Sequence, residues 1–468
     1  MLDESQKIKG SDRLGTTDQS GHRIFLYPEE VHGKWKKYRS AVYFILILVY
    51  LILPWLTING HQAMLIDIPR REFFILGAHF YAHNTPLLFI IILSFILGIG
   101  LLTALLGRVW CGWACPQTVF IEGLYRFVET LAEGNSYRRR KRDMGPWNTS
   151  KISRKGLKWI MFLALSLVLS HSFLAYFVPV SEFIKIITIS PAHNYTLFTI
   201  MLMVTGIFLF DFGWFREQFC IIACPYGRLQ SVLMDKDSVV VAYDYNRGEP
   251  RKGKDGNFKE FADCVNCHKC VQVCPTGIDI RDGTQMECIH CTRCIDVCDE
   301  IMTKVNKPTG LIRYTTESNL NKGQTKIIRP RVILYSLATF LLISLGSYII
   351  YQSKSLKMIL IRGTKSPYQI IQNPTRGELI VNHYKANLHY RDDKPINLKF
   401  SVNNPEVEVV SPSTNINLKA ERKKSVPIFF KFKKSILKHE GKLGVKLNVL
   451  NGEEILMTKP VTLVGPYD

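Results

Sequence analysis

No cysteine precedes Cys111 and none follows Cys298, so a long C-terminal stretch has no thiol at all. That excludes a secreted disulfide scaffold, which would spread paired cysteines through its exported parts. Acidic residues are also few: 39 Asp and Glu stand against 60 Lys and Arg, a net charge of +21. Nucleic-acid binders often carry such an excess. A membrane chain acquires it from basic residues kept on one side, so no nucleic-acid partner is inferred. The sequence also lacks a nucleotide-binding loop, a flavin fingerprint and a recognisable hydrolytic triad, and with them any internal clue to an electron donor. The residues before the first apolar run are polar and charged rather than a cleavable signal peptide. What remains is a 468-residue chain whose mean hydropathy of +0.05 averages a few almost purely apolar runs with polar surroundings. Neither a wholly soluble enzyme nor a disordered chain has that texture.

Five runs are long enough to cross a bilayer, which takes roughly 20 helical residues: 41–58, 87–106, 157–178, 195–215 and 332–351. Basic residues orient them. Lys34, Lys36, Lys37 and Arg39 precede the first, Arg138 to Arg142 with Lys151, Arg154, Lys155 and Lys158 lie before the third, and Lys322, Lys326, Arg329 and Arg331 precede the fifth. The opposite loops hold only Arg70 and Arg71, and Lys185. The positive-inside bias then places the N-terminus, the 107–156 loop and the 216–331 segment in the cytoplasm, and the C-terminal segment outside. On this reading 1–37 is a cytoplasmic tail, 38–235 a four-span membrane domain, 236–330 a ferredoxin-like domain, 331–352 a fifth span and 353–468 an exported domain. All twelve cysteines fall on the reducing side, where metal ligation is the stronger reading.

Eight of them form two runs of C-x2-C-x2-C-x3-C: Cys264, Cys267, Cys270 and Cys274, followed by Pro275, then Cys288, Cys291, Cys294 and Cys298. Tandem runs of this spacing are the bacterial ferredoxin signature, in which the fourth cysteine ligates the other cluster. Cys264, Cys267, Cys270 and Cys298 are therefore assigned to one [4Fe–4S] cluster, and Cys288, Cys291, Cys294 and Cys274 to a second. Zinc is disfavoured, because eight cysteines come without a ligand-spaced histidine. Asp299 follows the second run where proline follows the first, a change of turn geometry rather than of ligation. His268 and His290 sit inside the loops and are read as neighbours of the cluster rather than ligands. Such a pair transfers single electrons.

The other four cysteines repeat a second pattern. Cys111-Gly112-Trp113-Ala114-Cys115-Pro116 follows the second run, and Cys220-Ile221-Ile222-Ala223-Cys224-Pro225 follows the fourth. An i, i+4 spacing on a helix puts both sulfurs on one face, while the following proline sets each pair at a helix end. Four thiols at one depth form a soft site for Cu(I), zinc or iron–sulfur, or two dithiol/disulfide couples. Four inert cysteines are the plainer alternative, which the repetition weighs against. Phe120, Leu124, Phe127 and Leu131 space an amphipathic helix over 117–131, interfacial or core-packed. His61, His79, His83 and His193 map near the outer face and His171 lies within the third span, leaving metal ligation and ordinary hydrogen bonding both open.

From about residue 365 short alternating runs appear: 378–390, 396–402, 406–410, 416–420, 426–432, 443–450 and 454–464. About seven short strands in a hundred residues point to an immunoglobulin-like β-sandwich, without the Cys pair or Trp spacing of antibody domains. The expected fold is thus a multi-domain membrane protein: an α-helical transmembrane bundle, a double [4Fe–4S] ferredoxin domain and a C-terminal β-sandwich.

In this order the motifs resemble the CcoG/FixG/RdxA family of cytochrome c oxidase accessory proteins. The stretches that carry the resemblance are Gly107–Gln117, Cys224–Ser231, Cys274–Arg281 and Gly310–Tyr314, and it extends over nearly the whole chain. The resemblance implies two [4Fe–4S] clusters as cofactors and a membrane cupric reductase that supplies Cu(I) for the copper centre of a high-affinity cbb-type oxidase. Cys111, Cys115, Cys220 and Cys224 are then the copper-handling, catalytic and metal-binding residues, and copper is the substrate. It further implies a bacterial inner-membrane location, with copper-delivery or oxidase-assembly proteins as partners of a periplasmic C-terminal domain. The same residues suit two rivals: a relay like the NapH- and NosR-type polyferredoxins, feeding an exported reductase, and a non-enzymatic assembly scaffold. The orientation is checked with fusions. A reporter after Asp468 is expected to be active only if it is of the exported type, and one within Lys252–Asn257 only if it is cytoplasmic; the reverse pattern overturns the compartment argument.

Overall fold

The computed structural model describes residue 16 and residues 22–58, 60–69, 72–76, 78–81, 85–188, 194–251, 262–321, 323–352, 356–363, 366–373, 377–390, 396–411, 416–418, 423–437 and 441–466. Two compact units emerge, Met1–Ser347 and Tyr348–Asp468.

Five helices of the described residues are long and apolar enough to cross a membrane: Lys34–Trp55, Leu87–Leu106, Thr149–Ala175, Tyr195–Phe215 and Pro330–Ile349. Their outward side chains, among them Phe44, Phe89, Phe95, Met203 and Phe340, are exposed. In water such a surface would be an aggregation liability; in hydrocarbon it needs no cover. Two pairs of hydroxyls are buried along these helices. The Ser170 and Thr205 hydroxyls meet at 2.7 Å, and those of Tyr125 and Ser166 also at 2.7 Å. Such pairing satisfies hydroxyls where no water is at hand. The first apolar run, read over 41–58, leaves the helix earlier than its composition implies. Pro54 lies in the closing turn Leu53–Trp55, and Thr57–Ile58 is already a strand paired with His61–Gln62. Proline has no N–H with which to continue the ladder. A three-stranded antiparallel sheet, Met64–Asp67, Glu72–Ile75 and Ala78–Tyr81, lies between the first two long helices.

After the second helix come the short helix Val109–Trp113 and then Pro116–Phe120, Ile121–Tyr125 and Arg126–Glu133 as one run with a π-helical middle turn. The widened turn breaks the stripe expected along 117–131: Phe120 is buried, whereas Phe127 and Leu131 are 66% and 64% exposed. A π turn inserts an extra residue per turn, so positions beyond it rotate off the original face.

The cysteine-rich segment belongs to the same unit. Val240–Tyr243 pairs antiparallel with Ile312–Thr315 and clasps its two ends. Val241, Ile278, Ile280, Ile295, Met302 and Leu311 form its core around the cysteines. It is tied to the first long helix by Asp296, whose carboxylate accepts the N–H groups of Trp35 at 3.1 Å and Lys36 at 2.8 Å. These are free donors of a helix N-terminus, and the negative charge suits that end. Beside it lies Glu122, contacted by Arg126 at 2.5 Å, Arg293 at 3.2 Å and Arg39 at 4.0 Å.

Tyr348–Asp468 contains two antiparallel sheets that share one core. The first runs Glu408–Val410, Lys423–Lys433, Gly377–Tyr390, Leu356–Arg362, with Gln369–Asn373 also paired to Gly377–Tyr390. The second runs Ile416–Leu418, Ile396–Val402, Lys442–Asn451, Glu454–Val464. Ile428, Phe430 and Phe432 of one meet Leu447, Val449 and Leu463 of the other. Buried Asn382 bridges them, donating to the Val464 carbonyl at 2.7 Å and accepting its N–H at 2.8 Å. Of the alternating runs read from the sequence, 378–390, 396–402, 426–432, 443–450 and 454–464 are strands, 406–410 is a strand only over Glu408–Val410, and 416–420 over Ile416–Leu418, its last two residues lying outside the described ones; Leu356–Arg362 and Gln369–Asn373 add two that were not expected. Leu356–Arg362 lies between the apolar run read over 332–351 and the alternating pattern read from about 365, and its near-continuous apolar residues carry neither signal.

Because Glu122 is fully enclosed by arginines, Glu122→Ala leaves buried cations unpaired. The expected loss is roughly 3–5 kcal/mol, read as a lower denaturant midpoint of the purified protein in detergent, with Glu122→Gln losing less. An unchanged midpoint for both variants would show that the ion cluster contributes nothing.

Candidate electron-transfer sites

Each C-x2-C-x2-C loop has the same backbone signature. The residues just before and just after the second cysteine take positive φ: Asn266 (53°) and His268 (57°) in the first run, His290 (53°) and Thr292 (62°) in the second. Alternating the hand in this way turns successive N–H groups toward one concave side, which favours an anionic group such as an iron–sulfur cluster. Helices Lys269–Gln272 and Arg293–Lys304 begin directly after the loops, placing Cys270 and Cys294 in their first turns and Cys298 one turn further along the second.

Two cavities result. Site A is lined by Cys264, Cys267, Cys270 and Cys298, with Tyr243, Met302 and Leu311 among the walls. Site B is lined by Cys274, Cys288, Cys291 and Cys294, with Val241, Ile278 and Ile280, and Cys270 borders both. Among the described residues no three His, Cys, Asp or Glu side chains converge closely enough to hold a single metal ion. The thiols line each cavity rather than meet at one point, so the chemistry and spacing of the donors fit a [4Fe–4S] group better than zinc. Burial pushes the Cys270, Cys288 and Cys298 thiols up to about 12, so loading with metal must displace their protons.

The two sites differ in what surrounds them. At site A, Cys267 and His268 are exposed. Arg281 holds this loop, donating to Asn266 at 2.7 Å and Asp279 at 2.8 Å and meeting His268 Nδ1 at 2.8 Å. At site B, His290 is 1% exposed, and its Nδ1 accepts the Arg108 N–H at 3.1 Å. Burial, reinforced by the Arg108 charge, lowers His290 to about 3, so it stays neutral. Neither histidine is placed as a ligand. The Tyr314 hydroxyl donates to the His290 carbonyl at 3.3 Å and accepts from Trp113 Nε1 at 3.1 Å. Arg39 donates to the Cys291 carbonyl. Gly112 is the tightest point, since a Cβ there would stand 2.4 Å from the Ile289 carbonyl oxygen and 2.9 Å from that of His290. Site B therefore rests on the middle of the Cys111–Cys115 motif.

The membrane-face cysteines are arranged otherwise than a single helix face. Cys111 lies in Val109–Trp113, but Cys115 is extended (φ −62°, ψ 125°) and caps the helix that starts at Pro116. Cys220 lies in Phe219–Ala223, and Cys224 (φ −73°, ψ 113°) caps Pro225–Leu233. The proline excludes the helical region for the residue before it, so the chain breaks inside each motif. The four thiols are still brought into one neighbourhood. Burial raises Cys220 strongly, and the charges of Cys115, Cys111 and Cys224 act in the same direction. Burial also pushes Cys111 up to about 11, opposed by a hydrogen bond from Gln230 Nε2 at 3.0 Å. Cys115 is raised by burial too, against the N–H groups of Gln117 and Thr118.

Arg108, Gly112, Gln230 and Tyr314 are functional neighbours that no spacing rule reveals; each stood in or beside a motif stretch without a role of its own. Among the histidines, His61 stacks on Phe74 with ring centres 4.7 Å apart, and His171 Nδ1 meets the Leu167 carbonyl at 2.6 Å. His83, His193 and the His79 side chain lie outside the described residues.

The lining of the cavities leads to a prediction. Cys274→Ser is expected to abolish the cluster shared with Cys288, Cys291 and Cys294 and to spare the one whose loop it follows in sequence. Iron and acid-labile sulfide in the unaltered protein should approach about eight each per chain; stoichiometric zinc without sulfide would refute the assignment.

A family model described as a 4Fe-4S dicluster domain matches residues 215–317, and one described as a 4Fe-4S binding domain matches 87–134, the segment that holds Cys111 and Cys115. Protein RdxB of Cereibacter sphaeroides is 34% identical over 373 residues, 76% of this chain and 75% of RdxB. Protein RdxA of the same organism is 36% identical over 305 residues, 64% of each chain. The nitrogen fixation protein FixG of Rhizobium meliloti is 34% identical over 307 residues, 63% of this chain and 57% of FixG. The matched region thus spans a little under two thirds of RdxA, rather more than half of FixG and three quarters of RdxB. Similarity of this extent, with iron–sulfur models falling on the cysteine-bearing segments, shows that the chain belongs to the FixG/RdxA family of iron–sulfur proteins.

Proposed function

We propose that the protein carries single electrons from sites A and B to the four membrane-face thiols and there reduces Cu(II) to Cu(I), in support of copper-centre assembly in a cbb-type cytochrome c oxidase. The observation that carries this reading is the seat of site B on Gly112, between Cys111 and Cys115. A [4Fe–4S] group bound at each site supplies one-electron storage. The chain's own residues do the rest. Apolar walls exclude water, neutral His290 fixes the loop through Arg108, and soft thiols favour the Cu(I) product. Each turnover takes one electron from an external one-electron donor and gives it to one Cu(II). On the same proposal the ferredoxin-like segment is cytoplasmic and sits at a bacterial inner membrane. Tyr348–Asp468 is then a periplasmic, immunoglobulin-like sandwich that docks copper-delivery or assembly proteins.

A second reading has one observation in its favour: the family model described as a 4Fe-4S binding domain falls on 87–134, the segment that holds Cys111 and Cys115. That suits a relay that hands electrons to an exported reductase without copper. One experiment separates the two. Changing Cys111, Cys115, Cys220 and Cys224 together to Ala is expected to leave both clusters intact and reducible while Cu(II) reduction by the purified, dithionite-reduced protein collapses. Removing one pair should cost nearly as much, since ligands that act as a unit are not additive. Reduction of Cu(II) by the quadruple variant at the unaltered rate would favour the relay.

A further inference from the structure

We infer that the two cluster sites are not interchangeable: electrons enter at site A and leave from site B, across the backbone contact between Gly112 and Ile289–His290. The inference rests on reading the membrane-face thiols as the exit.

Three independent observations converge on it. The first is contact. The loop of site B touches the C-x3-C motif at Gly112, is bonded through His290 to the Arg108 N–H, and is held by Arg39 at Cys291. Arg108 also donates to the Gly227 carbonyl at 2.9 Å, and a Cβ at Gly227 would lie 2.9 Å from the Cys220 carbonyl oxygen. One arginine thus links site B to both C-x3-C motifs. The loop of site A is held elsewhere, by Arg281 and by the 2.8 Å pair between Lys269 and Glu29.

The second is exposure. Cys267 of site A reaches the surface, where a soluble electron carrier has access, while Cys288, Cys291 and His290 of site B are buried. Cys270 borders both cavities and joins them.

The third is charge. Buried Arg39, Arg108 and Arg293 stand around site B against the acids Glu122 and Asp296, whereas the single Arg281 of site A is matched by Asp279 and Asp299 follows Cys298. An added electron is negative charge, so it is held more strongly at B. Transfer from A to B is downhill. The balance is simple: a one-electron carrier is oxidised by one electron at site A, one Cu(II) becomes Cu(I) at the exit, and no covalent bond or proton is exchanged.

The test uses the full chain in detergent, loaded with iron and sulfide. In EPR-monitored redox titrations, Cys291→Ser reports site A and Cys267→Ser reports site B, and B is expected to have the higher midpoint. The reverse order overturns the inference whether or not copper is the acceptor. After dithionite reduction, Cys267→Ser should still reduce one Cu(II) rapidly, whereas Cys291→Ser should do so slowly from an otherwise reducible site A. Gly112→Ala should keep both EPR signals and its rate of oxidation by ferricyanide, yet form Cu(I) several-fold more slowly. Should Gly112→Ala lose its clusters, His290→Ala and His290→Asn carry the same test. Asn retains an acceptor for the Arg108 N–H and should restore the rate that Ala loses. Equal losses in the two cysteine variants, with Gly112→Ala or His290→Ala at the unaltered rate, would overturn the route. Failure of the unaltered protein to reduce Cu(II) would instead remove the copper reading alone.

Discussion

The carboxylate of Glu122 is the point on which the first unit turns. It projects from the helical run that follows the first C-x3-C motif and is shared by Arg126 of its own run, Arg39 of the first long helix and Arg293 of the site B loop. Burial alone would push its pKa up, but Arg293, Arg126 and Arg39 hold it well below the usual carboxylate range. Replacing such a cluster by apolar side chains can stabilise a protein as much as the ions do, so its value is position rather than energy. A single buried carboxylate can satisfy its arginines in only one arrangement, and this one holds three elements together where the cysteine loop meets the long helices. Glu129 extends the same lattice, with Arg216 and Arg139 both at 2.6 Å.

The repeated C-x3-C-P motif solves a related problem. Cysteine as the capping residue and proline as the first helical residue put a thiol at the positive end of a helix, twice. The other cysteine of each pair lies in a separate turn, so each motif draws on two elements rather than one. The Cys111, Cys115 and Cys220 thiols, which burial raises, gain their charge when a soft metal displaces the proton. Their reactivity is thus coupled to whatever reaches them from outside.

Much of this was legible in the residues. Long apolar runs, the tandem cysteine spacing and the period-2 alternation of 396–402 or 454–464 are local signals, and each gave the right kind of element. What escaped were features decided by more than one segment. Pro116 and Pro225 signalled that the second cysteine of each motif leaves the helix, but not that the two cysteines then belong to separate elements. The π turn at Ile121–Tyr125 rotates Phe127 and Leu131 outward with no signal in the apolar spacing. Two sites built from near-identical loops look equivalent in sequence, and Gly112 acquires its meaning only from the carbonyls facing it. The strand Leu356–Arg362 has near-continuous apolar residues without alternation and so carried no period-2 signal.

The cap that Asp296 places on the first long helix spans 260 residues of sequence from Lys36, and the Arg39 contact with Cys291 spans 252. Chains form their N-terminal parts first during synthesis, and contacts this distant in sequence close late. The helix that begins at Lys34 must therefore stand for a time with its first N–H groups and its arginine still hydrated. The joint between the first long helix and the site B loop is a seam that closes only once the chain has been made as far as Asp296.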